Sequence, residues 1–318
     1  MEKVLVVENL TTHFETPNGV AEAVDNVSFS LEQGEMLGLI GESGCGKTTV
    51  IQSILRLIEY PGRVIAGKAT IDGIDLLSAR NSEMERLRWK TISVIPQSAM
   101  NALNPVMTVG DQIIEAILLH ENVDKTEATK RAEDLLEMVG IARQRRKSYP
   151  HEFSGGMKQR VAIAMALACN PKIVISDEST TGLDVLTQAQ VIALIKDLQR
   201  SMNLSIILIS HDLPMVTAIC ERIAIMYAGK IVEWATTTQL LTNPRHPYSQ
   251  GLLAATPDIT NPDKECKSIP GTVPLLINPP KGCRFHTRCA HAVQRCKEEI
   301  PEMREVEKGH YVACFLGG

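Results

Sequence analysis

In the first sixty residues, several short apolar runs are followed by one segment whose apolar residues have helical spacing. The short runs predict β-strands at 4–7, 28–31 and 36–40, with a hairpin signal at 17–19. Apolar residues three and four positions apart then predict a helix from residue 47 to about residue 60, where a Pro-Gly pair stops it. The beginning of the chain is therefore expected to be rich in strands.

Helical spacing dominates the middle of the chain. Segments 109–119 and 125–139 are amphipathic, and Gly140 is placed to end the second of them. Strands and helices then alternate from residue 172 to residue 227. Because such alternation is typical of a parallel sheet covered by helices, the sequence predicts an α/β fold with an inserted helical subdomain at about 98–157.

Prolines interrupt every regular period beyond residue 242. Eight of them stand at positions 244, 247, 257, 262, 270, 274, 279 and 280. The sequence therefore predicts a main domain at 1–241 and an irregular C-terminal extension at 242–318.

Composition narrows the possible functions. The chain has 318 residues, 44% of them hydrophobic, and a formal net charge of −4. It is long and apolar enough to bury a core, and it lacks the basic excess that attracts nucleic acid, so nucleic acid is not expected as a partner. The N-terminus has no export signal and no apolar run approaches about 18 residues, so we expect an intracellular protein whose membrane role requires a partner.

A glycine-rich loop follows the strand predicted at 36–40. Residues 41–48 match the pattern G-x-x-x-x-G-K-[ST] and open the predicted helix. Glycines let backbone N–H groups turn toward a phosphate, Lys47 would pair with the β- and γ-phosphates of a nucleotide, and Thr48 would offer its hydroxyl to Mg²⁺. The expected nucleotide-binding residues here are Gly41, Ser43, Gly44, Cys45, Gly46, Lys47, Thr48 and Thr49.

Two carboxylates end the buried-strand pattern that starts at residue 173. Open α/β sheets place their chemistry at the carboxyl ends of strands. Asp177 would hold Mg²⁺, directly or through water, and Glu178 would orient or deprotonate the attacking water. A carboxylate pair at a strand end is ordinary by itself, so its meaning depends on the glycine-rich loop.

A second glycine motif starts another predicted helix. It reads Ser-Gly-Gly-x-x-Gln-Arg, with Ser154, Gly155, Gly156 and Gln159, and it resembles the signature motif of the ABC ATPase family. A hydroxyl, exposed backbone N–H groups and a helix N-terminus all suit an anion. The resemblance implies a P-loop NTPase core with an antiparallel β subdomain and an inserted helical subdomain. It also implies a head-to-tail dimer in which each ATP lies between the phosphate loop of one subunit and the signature motif of the other.

The same resemblance implies roles for four single residues. Gln97 resembles the glutamine that touches Mg²⁺ and the lytic water, and His211 resembles the switch histidine at the γ-phosphate. Asp184 resembles the D-loop aspartate. Phe14 resembles the aromatic residue that stacks on adenine, although a role as a core residue of a strand fits Phe14 almost equally well.

Two positions depart from the family pattern. Ser179 stands where the family usually has proline, and Phe153 replaces a commoner leucine. Neither change removes a chemical group from the site, so ATPase activity is expected to survive both.

Several stretches resemble one subfamily, the ATPase subunits of dipeptide and oligopeptide importers. They lie at 101–105, 149–153, 243–248, 252–253, 269–271, 273–274 and 282–283. The resemblance implies ATP-driven import of peptides, at the cytoplasmic face of the cell membrane. The implied partners are a second homologous ATPase subunit that forms a heterodimer, two transmembrane permease subunits and an extracytoplasmic solute-binding protein.

Four of the eight cysteines lie near the C-terminus, at Cys283, Cys289, Cys296 and Cys314. Four thiolates suffice for Zn²⁺ or a [4Fe–4S] cluster, and His286 and His291 are alternative zinc ligands, so the spacing leaves both metals and unligated thiols open. The subfamily resemblance favours an iron–sulfur cluster that staples the extension.

Other functions remain open at the level of sequence. An ATPase of this type could energise import of nickel, glutathione or short oligosaccharides. A soluble ABC ATPase of DNA repair or translation is disfavoured, because the chain has neither coiled-coil heptads nor a second phosphate loop. A redox-sensing regulator, in which the cysteines gate the ATPase, is a third hypothesis.

Overall fold

The computed structural model describes residues 2–97, 102–256 and 267–317. The predicted start of the helical subdomain at 98 and the first residue of the 101–105 stretch lie outside this description. The chain divides into two compact units, which are Met1–Val4, Glu32–Glu35 and Ala79–Leu208 in the first and Leu5–Leu31, Met36–Ser78 and Ile209–Gly318 in the second.

Strands and helices alternate through both units. The strands are β1 (Lys3–Thr16), β2 (Gly19–Glu32), β3 (Met36–Ile40), β4 (Gly62–Ile71), β5 (Ile74–Asp75), β6 (Ile92–Ile95), β7 (Ile173–Asp177), β8 (Ser205–Ser210), β9 (Arg222–Tyr227), β10 (Lys230–Thr236), β11 (Arg304–Glu307) and β12 (His310–Val312). The α-helices are α1 (Lys47–Ile54), α2 (Asn81–Leu87), α3 (Val109–His120), α4 (Lys125–Met138), α5 (Gly155–Ala166), α6 (Val185–Met202), α7 (Leu213–Ile219), α8 (Thr237–Thr242), α9 (Pro247–Ala255) and α10 (Gln294–Glu298). Two 3₁₀ turns, at Arg143–Lys147 and Pro150–Glu152, precede α5.

The second unit contains an antiparallel sheet with the strand order β2-β1-β4-β5. Strand β1 pairs with β4 in a register that runs from Val6 opposite Thr70 to Phe14 opposite Gly62. Leu5 and Val7 of β1 are buried, and Leu10 is buried beyond the register shift that follows Glu8. The sheet confirms the antiparallel β part of the predicted α/β fold.

A mixed run of strands lies in the same unit, in the order β11-β12-β10-β9-β3. Strand β3 pairs in parallel with β9, whereas β10 pairs antiparallel with both β9 and β12. All five residues of β3 are buried. Gly38 lets α7 lie close to β3, because a Cβ there would come within 2.3 Å of Val216 Cγ1. This strand leads directly into the glycine-rich loop.

The first unit contains residues 205–208 of β8, then β7 and β6 in that order, together with helices α2 to α6. Strands β6 and β7 are parallel, with Ile92 opposite Ile173, and β7 is buried along its whole length. Helices α3 and α4 begin at side-chain caps supplied by Thr108 and Asp124. These helices form where amphipathic spacing predicts them, and the subdomain limits of 98–157 stay a prediction.

Helix α1 is shorter than its apolar spacing predicts. It ends at Ile54 rather than near residue 60, because Arg56 adopts a left-handed conformation with φ of +54°. The N–H of Leu57 then donates to the carbonyl of Gln52 at 2.7 Å, a bond that closes the helix end. No glycine marks this stop, so no sequence pattern indicates it.

The C-terminal extension is more regular than its prolines predict. It contains α9, α10 and the hairpin of β11 and β12, which turns at Gly309 with φ of +74°. Strand β12 joins β10, with Val312 opposite Glu233, so part of the extension completes a sheet. The extension is thus irregular over much of its described length, as predicted, but it also contains these short regular elements.

Across the three ranges that the structure describes, no helix has both the length and the apolar character needed to cross a bilayer.

Candidate nucleotide-binding site

The glycine-rich loop has a backbone that only glycine fits at several positions. Gly44 and Gly46 have φ of +77° and +105°. A Cβ on Gly46 would lie 2.1 Å from the carbonyl oxygen of Ala23, and one on Gly41 would lie 2.2 Å from that of Met226. Close backbone approach from two directions therefore holds the loop tightly curved.

Helix α1 begins at Lys47 without a side-chain cap on its N-terminal residue, Gly46. Backbone N–H groups of a first helical turn carry a partial positive charge that suits a phosphate. The Lys47 side chain is only 4% exposed, and its Nζ donates to the carbonyl oxygens of Gly41 at 2.7 Å and Glu42 at 3.1 Å. The loop therefore keeps this cation within its own curve.

The other loop residues differ in exposure. Ser43 and Gly44 are exposed, Thr48 and Thr49 are half-buried, and Cys45 is fully buried. Burial raises the pKa of the Cys45 thiol, so it remains neutral and contributes to the loop through its backbone.

Phe14 and His211 belong to the same unit as the loop. Phe14 is half-buried on β1, and its ring lies over Gly62, where a Cβ would approach it to 2.5 Å. His211 is exposed in the short connection between β8 and α7. Stacking of Phe14 on adenine and contact of His211 with a phosphate stay predictions.

The first unit brings two predicted catalytic residues together. Strand β7 ends at the buried Asp177, and the next residue, Glu178, has φ of +42°. Gln97 Nε2 donates to Glu178 Oε2 at 3.0 Å, although 81 positions separate them. The motif positions predict both residues, and the direct hydrogen bond between them is new information from the structure.

Ser179, the departure from proline, lies in a buried pair of hydroxyls. Its Oγ is 2.6 Å from the Oγ of Ser176. The other departure, Phe153, is buried beneath the Arg145 guanidinium, whose carbon lies 4.1 Å from the ring centroid. Both substitutions therefore have local partners that accommodate them.

The signature motif forms the start of helix α5. Ser154 caps this helix, and its Oγ accepts a long hydrogen bond of 3.4 Å from the N–H of Met157. Gln159 is buried one turn later, and its Nε2 has no hydrogen-bond partner among the residues that are described. The motif thus supplies a weakly held hydroxyl and an available helix N-terminus.

Asp184 and the signature motif share a neighbour that the sequence did not indicate. Asp184 caps α6 by accepting from Thr187, from its N–H at 3.0 Å and from its Oγ1 at 2.6 Å. These hydrogen bonds lower the pKa of Asp184. Thr187 lies against Gly156, where a Cβ would come within 2.4 Å of Thr187 Cγ2. Gly156 is therefore required by packing as well as by any ligand.

The four clustered cysteines lie around one cavity in the extension. Its volume is about 290 Å³ including space open to solvent, and its lining includes Cys283, Cys289, Cys296, Cys314, His246 and His286. Burial raises the pKa of Cys283 to about 11 and also raises the pKa values of Cys289 and Cys314. Within the described parts of the chain, however, no three His, Cys, Asp or Glu side chains are arranged to hold a metal ion. The predicted metal staple is therefore not shown.

Comparison with known proteins identifies the family. The chain is 46% identical over 318 residues to the oligopeptide transport ATP-binding protein OppD of Bacillus subtilis (strain 168), covering 99% of this chain and 89% of that protein. Residues 24–181 match the family model described as ABC transporter. The chain belongs to the ABC transporter family. A second model, described as the C-terminal region of oligopeptide/dipeptide transporters, matches residues 232–296 of this ABC transporter chain.

Further relatives and solved structures support this membership. The dipeptide transport ATP-binding protein DppD of B. subtilis (strain 168) is 44% identical over 319 residues, and the alignment covers 99% of this chain and 95% of that protein. The dimeric structure of the ATP-binding cassette MJ0796, in a post-hydrolysis state bound to ADP and Pi, aligns with a TM-score of 0.66 and 26% identity. That alignment covers 73% of this ABC transporter chain and 98% of MJ0796, so the fold is that of an ABC ATPase cassette.

Proposed function

We propose that this ABC transporter subunit hydrolyses ATP to drive import of oligopeptides or dipeptides. The observation that carries the ATPase assignment is the phosphate loop, in which a glycine-only backbone and an uncapped helix start surround the buried Lys47. The peptide assignment is supported by the match of residues 232–296 and by the names of relatives more than 40% identical over the whole chain.

The phosphates of ATP bind to the loop backbone and to Lys47. Oxygen donors suit Mg²⁺, and the residues predicted to hold the ion are Thr48, Asp177 and Gln97; when bound, it would neutralise phosphate charge. The adenine stacks on Phe14, and His211 contacts the γ-phosphate. In this arrangement the phosphate loop supplies binding and the remaining residues respond to the bound triphosphate.

Glu178 orients or deprotonates the water that attacks the γ-phosphate. Its hydrogen bond from Gln97 holds one carboxylate oxygen in position. Phosphoryl transfer depends mainly on position and charge, so fixing this carboxylate is a direct contribution to the rate.

A second ATPase subunit completes each nucleotide site. The opposing subunit presents Ser154, Gly155, Gly156 and Gln159 at the N-terminus of its α5 helix, and Asp184 lies beside that motif through Thr187. The dimeric form of the related cassette MJ0796 supports this assembly. The partners are a homologous ATPase subunit in a heterodimer, two permease subunits and an extracytoplasmic solute-binding protein, at the cytoplasmic face of the membrane.

We also propose a [4Fe–4S] cluster on Cys283, Cys289, Cys296 and Cys314. A cavity lined by all four thiols supports the fit, and so does a buried donor without a partner. His246 is 1% exposed and burial lowers its pKa to about 3, so its ring is neutral. Its Nδ1 accepts from the N–H of Tyr248 at 3.0 Å, which places the ring proton on Nε2.

His246 is one of the residues that line this cavity, and its Nε2 atom has no hydrogen-bond partner among the described residues. An N–H group in such a position suits sulfur acceptors. A cluster would supply a covalent cross-link for an extension that is rich in proline. Zn²⁺ is the alternative occupant, with His286 near the cysteines and His291 exposed.

One preparation tests both parts of this proposal. The subunit would be purified without oxygen, together with its partner subunit and permeases, and compared with a Glu178→Gln complex in Mg-ATP hydrolysis and peptide uptake. We expect the variant to bind nucleotide but lose hydrolysis and uptake. An unmodified complex that neither binds nor hydrolyses ATP would contradict the proposal.

The presence of the cluster is tested separately, by the iron content and colour of the same preparation. About four irons and a brown colour are expected for a [4Fe–4S] protein, and Cys283→Ser should lose both. Cys169→Ser, at a buried cysteine outside the cavity, is the matched control and should lose neither. A colourless preparation that contains zinc would overturn the cluster and leave the ATPase assignment intact.

A further inference from the structure

The segment between the first two clustered cysteines carries two buried arginines. In this Cys283–Cys289 segment, the side chains of Arg284 and Arg288 are 5% and 4% exposed. A guanidinium in such a position is stable only when its N–H groups are paired. The partners of the two arginines therefore show what the segment supports.

Arg288 binds the second residue of the phosphate loop. Its Nη1 donates to Glu42 Oε2 at 2.7 Å and its Nη2 donates to Glu42 Oε1 at 3.1 Å. This two-pronged contact is the strongest geometry for an arginine and a carboxylate, and it raises the pKa of Arg288. The Arg288 Nε is held in turn by the carbonyl oxygen of Pro270 at 2.8 Å.

A second residue of the extension contacts the same loop position. The hydroxyl of Tyr248 accepts from the backbone N–H of Glu42 at 3.1 Å. Tyr248 is fully buried in an aromatic group with Tyr227 and Phe285, at centroid distances of 4.6 and 5.4 Å. Glu42 is therefore held through both its backbone and its side chain.

Arg284 fixes the backbone that lies behind the loop. It donates to Asp25 Oδ2 at 2.6 Å and to the carbonyl oxygen of Ala228 at 2.5 Å. The N–H of Asp25 donates to the carbonyl of Gly229 at 2.8 Å, and the N–H of Gly229 donates to the carbonyl of Cys45 at 2.8 Å. The two arginines of one short segment thus support two different places in the phosphate loop.

The contact between Arg288 and Glu42 affects the charge of the phosphate loop as well as its stability. Glu42 places a carboxylate, 31% exposed, in a loop that receives a polyanion. An unpaired carboxylate there would repel the phosphates of a nucleotide, and Arg288 both neutralises it and holds it in one orientation.

We propose that Arg288 is a positioning residue of the nucleotide site, through which the C-terminal extension sets nucleotide affinity. It holds the phosphate loop in its binding shape by pairing with Glu42. This inference rests on the proposed role of the loop in binding ATP, and it holds whether or not a metal occupies the cysteine cavity.

A double-mutant cycle tests the proposal. Dissociation constants for Mg-ADP would be measured by calorimetry on the unmodified protein, Arg288→Gln, Glu42→Gln and the double variant. Arg288→Gln should raise the constant by about tenfold, because Glu42 is left charged and unpaired. The double variant should return to within about threefold of the unmodified protein, since no charge at position 42 then needs a partner.

Control variants separate this effect from general damage to the extension. Arg295→Gln breaks an exposed ion pair with Glu299 in α10 and should leave the constant unchanged. In ATP hydrolysis, Arg288→Gln should raise KM with little change in kcat, because Glu178 and Gln97 are untouched. If Arg288→Gln does not fold, two milder variants replace it. Arg288→Lys loses the two-pronged contact with the Glu42 carboxylate, and Tyr248→Phe loses the hydroxyl that accepts from the Glu42 N–H. Each should raise the dissociation constant by about threefold.

Two outcomes would overturn the inference. One is a folded Arg288→Gln protein whose affinity for Mg-ADP matches that of the unmodified protein. If only Arg288→Lys and Tyr248→Phe fold, the equivalent outcome is an unchanged affinity in both of them. The other is a double variant as weak as Arg288→Gln, which would mean that Arg288 does not act through Glu42. An unmodified protein that does not bind Mg-ADP contradicts the proposed ATPase function instead.

Discussion

The phosphate loop and the signature motif each offer a helix N-terminus to a phosphate, but they are held in different ways. Glu42 in the phosphate loop is fixed by Tyr248 and Arg288, which lie 206 and 246 positions away. The caps of the signature region reach only three residues, from Ser154 to Met157 and from Asp184 to Thr187. Contacts of the first kind are partly buried, whereas those of the second kind are exposed.

This difference suits two separate tasks. Buried contacts between distant parts of the chain fix the shape of a loop before a ligand arrives, which lowers the entropy cost of binding. Short local contacts hold a motif in shape but leave its outer face free to meet another molecule. We infer that nucleotide binding is built into one region of this ABC transporter subunit, whereas hydrolysis depends on a region that meets a partner.

Loss of the lysine in the phosphate loop should have the largest effect on nucleotide binding of all the changes considered. Lys47→Ala removes a buried cation that would pair with two phosphates, so we expect the dissociation constant for Mg-ADP to rise by at least about 100-fold. Calorimetry measures this change, and Lys130→Ala, an exposed position on α4, is the control. A rise of less than about threefold would show that the backbone alone binds the phosphates.

The signature region should show the opposite behaviour. Gly156→Ala places a Cβ 2.4 Å from Thr187 Cγ2 and forces the start of α5 away from α6. We expect hydrolysis by the assembled complex to fall by about 10- to 100-fold, with Mg-ADP affinity of the single subunit changed by less than about twofold. A parallel loss of affinity would break the proposed separation of binding from hydrolysis.

Thr187→Ser tests whether the clash with Thr187 Cγ2 causes the loss of hydrolysis in Gly156→Ala. It removes Cγ2 and keeps the hydroxyl that donates to Asp184. Combined with Gly156→Ala, it should recover a large part of the lost hydrolysis, because the clash is with that methyl group.

Sequence patterns predicted those parts of the fold that depend on local spacing. The strand before the phosphate loop, the glycines of the loop and amphipathic helices α3 and α4 all follow from residues close together in the chain. The end of α1 did not, because an arginine with positive φ at position 56 leaves no mark in composition. The hairpin of β11 and β12 turns at Gly309, but the charged residues before this glycine give no strand pattern.

The candidate site shows the same limit. Motifs predicted Gln97, Glu178 and Gly156 one by one, since each belongs to a short pattern. Neither the packing of Thr187 on Gly156 nor the pairing of Arg288 with Glu42 has a periodic or local signal, because each joins distant positions in the chain. A buried arginine beside a cysteine carries no sequence mark of the residue that it will pair with.

A smaller effect is expected at the cysteine cavity, where His246 offers its Nε2 proton. His246→Asn can still accept from the N–H of Tyr248 at the helix start, but it lacks a donor that reaches the cavity. If the proposed cluster is present, its reduction potential should fall by tens of millivolts, because a hydrogen bond to sulfur stabilises the reduced cluster.

Redox titration monitored by electron paramagnetic resonance measures this change, and iron content shows that the cluster is retained. His291→Asn, at an exposed histidine, is the control and should leave the potential unchanged. An unchanged potential in His246→Asn would show that this N–H does not reach the cluster, while the iron content would still test the cluster itself.

The smallest effect is expected for the buried hydroxyl pair beside Glu178. Ser179→Ala removes one partner of the 2.6 Å contact and leaves Ser176 without it, which should cost about 1 kcal/mol of stability. Removing both hydroxyls, in Ser176→Ala with Ser179→Ala, should cost less than the two single changes added together, because no unpaired group remains. Thermal unfolding measures the stabilities, and additive losses would contradict the pairing. Because this contact is local to the hydrolysis region, hydrolysis should change by less than about threefold and Mg-ADP affinity not at all.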